Sequence, residues 1–151
     1  MLCFSVQSLS RHHNWSAQVQ LMQSWHEIHE AKGLKPGEMT HGRAGGEDVL
    51  VVNHTGELHA FVNRCGHENA PLDLGTFKSG VLKCPQHNAV FDARTGEVRG
   101  PPILAMPGMD KLPPELLEAM AKLGPVMARI ECRPLTPLPV ETSNGIVRVF
   151  V

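Results

Sequence analysis

Tyrosine is absent from all 151 residues, so no phenolic hydroxyl is available anywhere in the chain as a hydrogen-bond donor. Charge of one sign is also lacking: 14 Lys and Arg oppose 15 Asp and Glu, for a formal net charge of −1. That balance leaves no basic footprint for nucleic acid or an anionic membrane surface. No apolar run is long enough to span a bilayer. Four cysteines are too few for a disulfide scaffold in a chain of this length and suit metal binding better. A nucleophile–base arrangement, a phosphate-binding glycine loop and a flavin fingerprint are missing as well, which sets aside the corresponding enzyme classes.

What remains is a globular composition, 42% hydrophobic and 19% charged, with nine histidines. The length suits one domain, and about 150 residues bury enough surface to fold without staples. Residues 1–21 have no clear periodicity and are expected to form a loosely ordered tail, with Met22 a candidate start and 22–151 the single domain. The apolar opening Met1–Val6 is shorter than a signal-peptide core, and a cytoplasmic location is expected.

From Ser24 the pattern turns to short strands. Asp48–Asn53 and Glu57–Val62 flank His54-Thr55-Gly56 as a hairpin. Turns at Ser79-Gly80 and Arg94-Thr95-Gly96 punctuate Val81–Lys83 and Ala89–Asp92, and Leu138–Glu141 and Ile146–Val151 flank Ser143-Asn144-Gly145. This spacing predicts an all-β fold, an antiparallel sandwich or barrel. One stretch differs: nine of the 12 prolines lie between Pro101 and Pro139, and within it Pro113–Lys122 reads as a short helix stopped by Gly124-Pro125. Leu116, Leu117, Met120 and Leu123 fall on one face of that helix.

The chemistry concentrates in Cys65-Gly66-His67, followed after 16 residues by Cys84-Pro85-Gln86-His87. Each half supplies one thiolate and one imidazole, and each runs into a Pro- or Gly-containing loop. Two such loops projected from adjacent hairpins can clamp one metal centre. Three readings are open on the residues alone. The four side chains are buried thiols and surface histidines; or they form a Cys2His2 zinc site, although the usual order is two Cys and then two His; or they hold a [2Fe–2S] cluster, two Cys on one iron and two His on the other. Interleaving suits the last, because each loop then gives one ligand to each iron.

The stretch CGHENAPLDLG…CPQHNAVFDARTGEVRGPP strongly resembles the Rieske family, whose signature is C-x-H, a spacer of this length, and C-x-x-H. Pro71-Leu72, Phe91-Asp92, Thr95-Gly96-Glu97 and Gly100-Pro101-Pro102 also stand where Rieske ferredoxins carry such residues. The likeness covers roughly Ser24–Pro102 and Pro134–Val151. It implies a Rieske-type antiparallel β fold with a small cluster-binding subdomain, about 64–102, on a larger β base. It also implies a [2Fe–2S] cofactor, with Cys65 and Cys84 on the buried iron and His67 and His87 on the solvent-side iron. Rieske subunits of respiratory cytochrome bc complexes tie the two loops with a disulfide; the matching positions here are Ala70 and Gln86.

The expected role is a soluble one-electron carrier rather than an enzyme. The donor would be a flavin- or iron–sulfur-containing reductase, the acceptor an oxygenase or other terminal redox enzyme, with no nucleic-acid or membrane partner. The alternative is a permanently bound small Rieske subunit of a multi-component reductase, of the nitrite reductase small-subunit type; a zinc-bound interaction module ranks below both. No histidine follows His87, so no 2-His-1-carboxylate iron site can follow the cluster segment as in oxygenase catalytic subunits. His26 and His29, three apart, miss the H-E-x-x-H pattern and read as surface residues that an alternating strand would point to opposite faces. Pro71, Leu72, Asn88, Pro101 and Pro102 are expected to ring the exposed edge of the histidines. Cys3 and Cys132 are expected to be free thiols. About 30 extra residues, Ile103–Arg133, separate the Pro-containing loop from the last hairpin; they are expected to cover a sheet edge and to offer a homo-oligomer contact.

High-potential Rieske proteins place a Ser and a Tyr hydroxyl on cluster sulfurs; the corresponding residues are Ala89 and Phe91. Hydrogen bonds to the sulfurs favour the extra electron, so their loss argues for the lower end of the Rieske range, around −150 mV. A redox titration should return a midpoint in that region, and one above about +100 mV would contradict it. The double substitution Ala89→Ser and Phe91→Tyr should raise the midpoint.

Overall fold

The run Val49-Leu50-Val51-Val52 shows no polar alternation, which asks for a strand covered on both faces. In the computed structural model, which describes residues 23–103, 111–127 and 129–151, it has that position. The strands are β1 (Trp25–Glu27), β2 (Met39–Ala44), β3 (Glu47–His54), β4 (Glu57–Val62), β5 (Thr76–Lys78), β6 (Val81–Lys83), β7 (Val90–Asp92), β8 (Val98–Gly100), β9 (Pro137–Leu138), β10 (Val140–Ser143) and β11 (Ile146–Phe150). They form three antiparallel sheets with strand orders β1-β11-β10, β2-β3-β4-β9 and β5-β6-β7-β8. The all-β expectation holds, as stacked open sheets; among the described residues no barrel closes.

The β2-β3-β4-β9 sheet carries a core on each face. Val49, Val51 and Ala60 pack with Ile28, Val147 and Val149 on one side. Leu50, Val52 and Phe61 pack on the other with Leu72, Leu82, Phe91 and the two signature cysteines. The period of two along β3 therefore deals residues alternately to two cores, and both require apolar side chains.

Four two-residue loops close hairpins with both residues in the left-handed region, the geometry that matches strand twist. They are Gly45-Gly46, Thr55-Gly56, Ser79-Gly80 and Asn144-Gly145, with φ between 52° and 101°. The last three are the turns read from the sequence. Strands β2, β5 and β8 had no such signal. The polar, Gly-containing sequence MTHGRA of β2 and the three-residue lengths of β5 and β8 leave too little periodicity to see.

The segment around Trp25 departs from expectation. The strand ends at Glu27, Ile28 turns into the core and His29–Ala31 form a 3-10 turn. His26 and His29 thus do not share a strand; His26 bonds Ser24 Oγ at 2.9 Å, and His29 is exposed. Helix α1 spans Pro114–Met127, one turn longer than Pro113–Lys122, and contains Pro125. A proline in the final turn forfeits one hydrogen bond to the preceding turn rather than breaking a long interior. Leu116 and Leu123 are exposed on α1, Leu117 and Met120 half-buried. No helix among the described residues is long and apolar enough to cross a membrane. The expected tail 1–21 and Cys3 lie outside the described residues, as do 104–110 and 128 of the insertion.

His59 on β4 has a buried Nε2 with no hydrogen-bond partner, and burial holds its pKa below the ordinary 6.5. Nearby Glu57 and Asp92 oppose that shift, while His54 and Arg94 reinforce it. With the native pKa depressed, the unfolded chain binds the extra proton first, so stability falls as pH drops through about 6.5 toward the native value. The thermal midpoint of His59→Gln should fall less between pH 7.5 and 5.5 than that of the parent, by calorimetry; equal pH slopes would exclude His59 as the source.

Candidate metal centre

Strand β4 ends at Val62, and the chain turns into the first signature loop; the second leaves β6 at Lys83. The two loops are built alike. The N–H of Cys65 donates to the carbonyl of Ala70 at 2.8 Å, and that of Cys84 to the carbonyl of Ala89 at 2.9 Å. Each loop reverses through an asparagine in the left-handed region, Asn69 at φ 56° and Asn88 at φ 57°. Asparagine tolerates that region better than other non-glycine residues. The likeness is visible in the sequence as C-G-H-E-N-A against C-P-Q-H-N-A, a repeat not singled out from the sequence.

These closures bring the four signature residues together. Cys65 and Cys84 are each 2% exposed and lie side by side at the floor of the site. Burial pushes the Cys65 thiol up to about 11, with the neighbouring Cys84 adding to the shift. The His67 and His87 rings meet edge to face with centroids 5.1 Å apart. The His67 side chain is 1% exposed and that of His87 20%, so His87 is the outward member of the pair. His67 Nε2 and His87 Nδ1 are buried without a hydrogen-bond partner. Orphaned imidazole nitrogens are costly unless something else binds them. Two thiols beneath two unsatisfied imidazoles fit an iron centre of mixed ligation.

Residues outside the signature hold the loops. Asn63, 5% exposed, accepts the N–H groups of Leu72 and Asp73 at 2.9 and 3.1 Å and donates to Asp73 Oδ1 at 2.6 Å. It thereby ties the far end of the first loop back to its start, next to the end of β4. Behind the second loop, Asp92 accepts from the N–H groups of Arg94 and Thr95 and from the Arg99 guanidinium. The Arg94 N–H leads in holding its carboxyl below the usual carboxylate range. Gly96, at φ 76°, lets the turn sit against Phe61: a β-carbon there would lie 2.9 Å from the ring.

The flanks of the insertion reach both loops. Ile103 N–H donates to the His87 carbonyl at 2.6 Å, and Arg133 N–H to the Gly66 carbonyl at 2.9 Å. A β-carbon at Gly66 would collide with the Arg133 carbonyl oxygen, so glycine is needed for that approach. A cleft of about 690 Å³ lies between the first loop and Arg129–Thr136. Cys132, half-buried, packs against the core that holds Cys65 and Cys84, and burial raises its pKa. The expected rim needs one correction: Leu72 is 1% exposed and belongs to the core, because the Asn63 bonds turn it inward.

Two buried thiols and two unpartnered imidazoles on paired β loops suit the class of iron–sulfur proteins with mixed cysteine and histidine ligation. The profile of the Rieske [2Fe-2S] domain matches residues 24–113, and the chain belongs to that family. Its cofactor is accordingly a Rieske-type [2Fe–2S] cluster. Among curated relatives, apoptosis-inducing factor 3 of Homo sapiens is 37% identical over 81 residues, 54% of this chain but 13% of that protein. The ferredoxin component of biphenyl 2,3-dioxygenase from Rhodococcus jostii (strain RHA1) is 38% identical over 69 residues, 46% of this chain and 64% of that one. The anthranilate 1,2-dioxygenase ferredoxin subunit of Burkholderia cepacia is 30% identical over 79 residues, covering 52% and 73%. The chain therefore spans a small part of the first of these and about two thirds of the others. In fold it is similar to the ferredoxin of carbazole 1,9a-dioxygenase from Nocardioides aromaticivorans IC177, with TM-score 0.58 and 24% identity over 83% of this chain and 96% of that one.

Replacing Asn63 with Ala leaves the Leu72 and Asp73 N–H groups without their acceptor, at a cost of about 2–3 kcal/mol. Urea unfolding of Asn63→Ala should show that loss, and its bound iron should dissociate faster than the parent's. An unchanged transition midpoint would show that Asn63 does not pin the loop.

Proposed function

We propose that this chain is a one-electron carrier rather than a catalyst, in which Cys65 and Cys84 hold the inner iron of the cluster and His67 and His87 the outer. The observation that carries the reading is the pair of buried, unpartnered nitrogens, His67 Nε2 and His87 Nδ1, above two adjacent buried thiols. When bound, a centre of this ligation supplies a reversible one-electron couple between about −150 and +300 mV. The protein's part is to hold the donors and keep water from the sulfur side. Cys65 and Cys84 sit in a floor made by Leu72, Leu82, Ala89 and Phe91, all apolar. His87, with a fifth of its side chain exposed, offers the outlet through which an electron reaches a partner.

The donor is a reductase carrying flavin or an iron–sulfur centre, the acceptor an oxygenase or other terminal redox enzyme, and the setting the cytoplasm. Two curated relatives carry dioxygenase ferredoxin names. A related fold occurs in a structure described as a complex of reduced oxygenase and oxidized ferredoxin. A second reading, a small subunit bound permanently in a multi-component reductase, draws on the exposed Ile103, Leu116, Leu123 and Ile130. A carrier purifies alone and docks briefly; a subunit co-purifies with its catalytic chain at every concentration.

Anaerobically purified protein should be red-brown, give a rhombic histidine-type paramagnetic signal when reduced, and return to the oxidised spectrum on mixing with an acceptor. His87→Ala and Cys84→Ser should each abolish that signal. A colourless protein that binds one zinc ion would overturn the reading.

A further inference from the structure

Glu68 stands between the two imidazoles, a position that the signature does not assign to an acidic residue. Its Oε2 lies 3.6 Å from His87 Nδ1 and its Oε1 lies 3.9 Å from His67 Nε2. These three side chains put one ligand atom each within 4.8 Å of one another. The carboxylate is 22% exposed, and its hydrogen-bond partner is the amide of Gln86, with Nε2 donating to Oε2 at 3.3 Å. Among the described residues no Lys or Arg pairs with it. The site thus holds one carboxylate without a Lys or Arg partner among the described residues, beside the two imidazoles assigned to the outer iron. Gln86 comes from the second loop and Glu68 from the first, so their bond also crosses between the loops at one of the positions where a disulfide would stand.

A fixed negative charge close to a redox centre opposes the arrival of an electron, and the partly dry surroundings weaken its screening. We propose that Glu68 is a potential-setting residue, whose carboxylate beside His67 and His87 holds the midpoint of the centre down. This rests on the ligand assignment under Proposed function. It acts in the same direction as the missing hydroxyls at Ala89 and Phe91, by a different route: those withhold donors from the sulfurs, whereas Glu68 adds charge on the histidine side.

The test is a mediator titration at one pH on cluster-loaded protein, with the reduced paramagnetic spectrum as proof of loading. Glu68→Gln keeps the shape and removes the charge. At a fixed potential its reduced-to-oxidised ratio should rise about tenfold, a shift of about 59 mV for a one-electron couple. Gln86→Glu adds a second carboxylate at the same place and should move the midpoint the opposite way. Gln86→Ala removes the cross-loop bond, keeps the charge and should stay near the parent. Loaded Glu68→Gln with the parent's midpoint overturns the proposal, as does an equal rise in Gln86→Ala, which would assign the effect to loop position. If Glu68→Gln does not load, the Gln86→Glu titration decides alone: a fall in midpoint supports the proposal and no change overturns it. A parent protein without the histidine-type spectrum would instead overturn the ligand assignment.

Discussion

Burial of the central sheet on both faces is the constraint on which the rest of this molecule depends. Val49 and Val51 enter one core while Leu50 and Val52 enter the other, and a slip of one residue would bring Asp48 or Asn53 into a face that needs hydrocarbon. β3 fixes the register of β4, pairing Leu50 with Phe61 and Val49 with Val62. Three residues beyond Val62 comes Cys65, so the position of the first thiol descends from that register. Phe61 extends the influence to the other side of the site, because its ring meets Gly96 in the turn beyond β7.

On this base the two signature loops solve one problem twice. A chain that must present a thiol and an imidazole to one centre within a few residues has to reverse, and both loops do so with a Cys N–H to carbonyl bond and an asparagine in the left-handed region. The two His offsets differ by one residue, which lets the rings meet edge to face instead of sharing one location. With no disulfide between the loops, their separation is set by softer links: the Gln86–Glu68 bond, and the flanks of the insertion at Ile103 and Arg133. A site held by several weak ties can keep its geometry while each tie remains individually replaceable, whereas a covalent bridge sets the distance once.

Much of this was legible. The hairpins around Thr55-Gly56, Ser79-Gly80 and Asn144-Gly145 were readable because a left-handed pair of residues restricts the choice of side chains so strongly. The four candidate ligands were readable because metal chemistry restricts residue type and spacing together. Strands β2, β5 and β8 were not, since short or polar edge strands carry no period of their own and exist by pairing with a neighbour. Leu72 was misassigned to the surface because its inward turn is imposed by Asn63, nine positions earlier. Asn63 and Glu68 escaped notice for the same reason: nothing in their local sequence differs from an ordinary loop.

By itself the amino-acid sequence determined the class of chemistry, because thiolate and imidazole donors at signature spacing are a property of residue identity. It also determined what was absent: no tyrosine for a phenolic hydrogen bond, and no cysteine at Ala70 or Gln86 to clamp the loops. Tertiary structure decided the surroundings of those donors. Which imidazole faces outward, which asparagine pins the loop and which carboxylate lies within 4 Å of both rings depend on contacts across the site, most of them between distant parts of the chain. Such contacts are set by packing around a shared core, and a linear pattern carries no distance information for residues that meet only after the sheets have stacked.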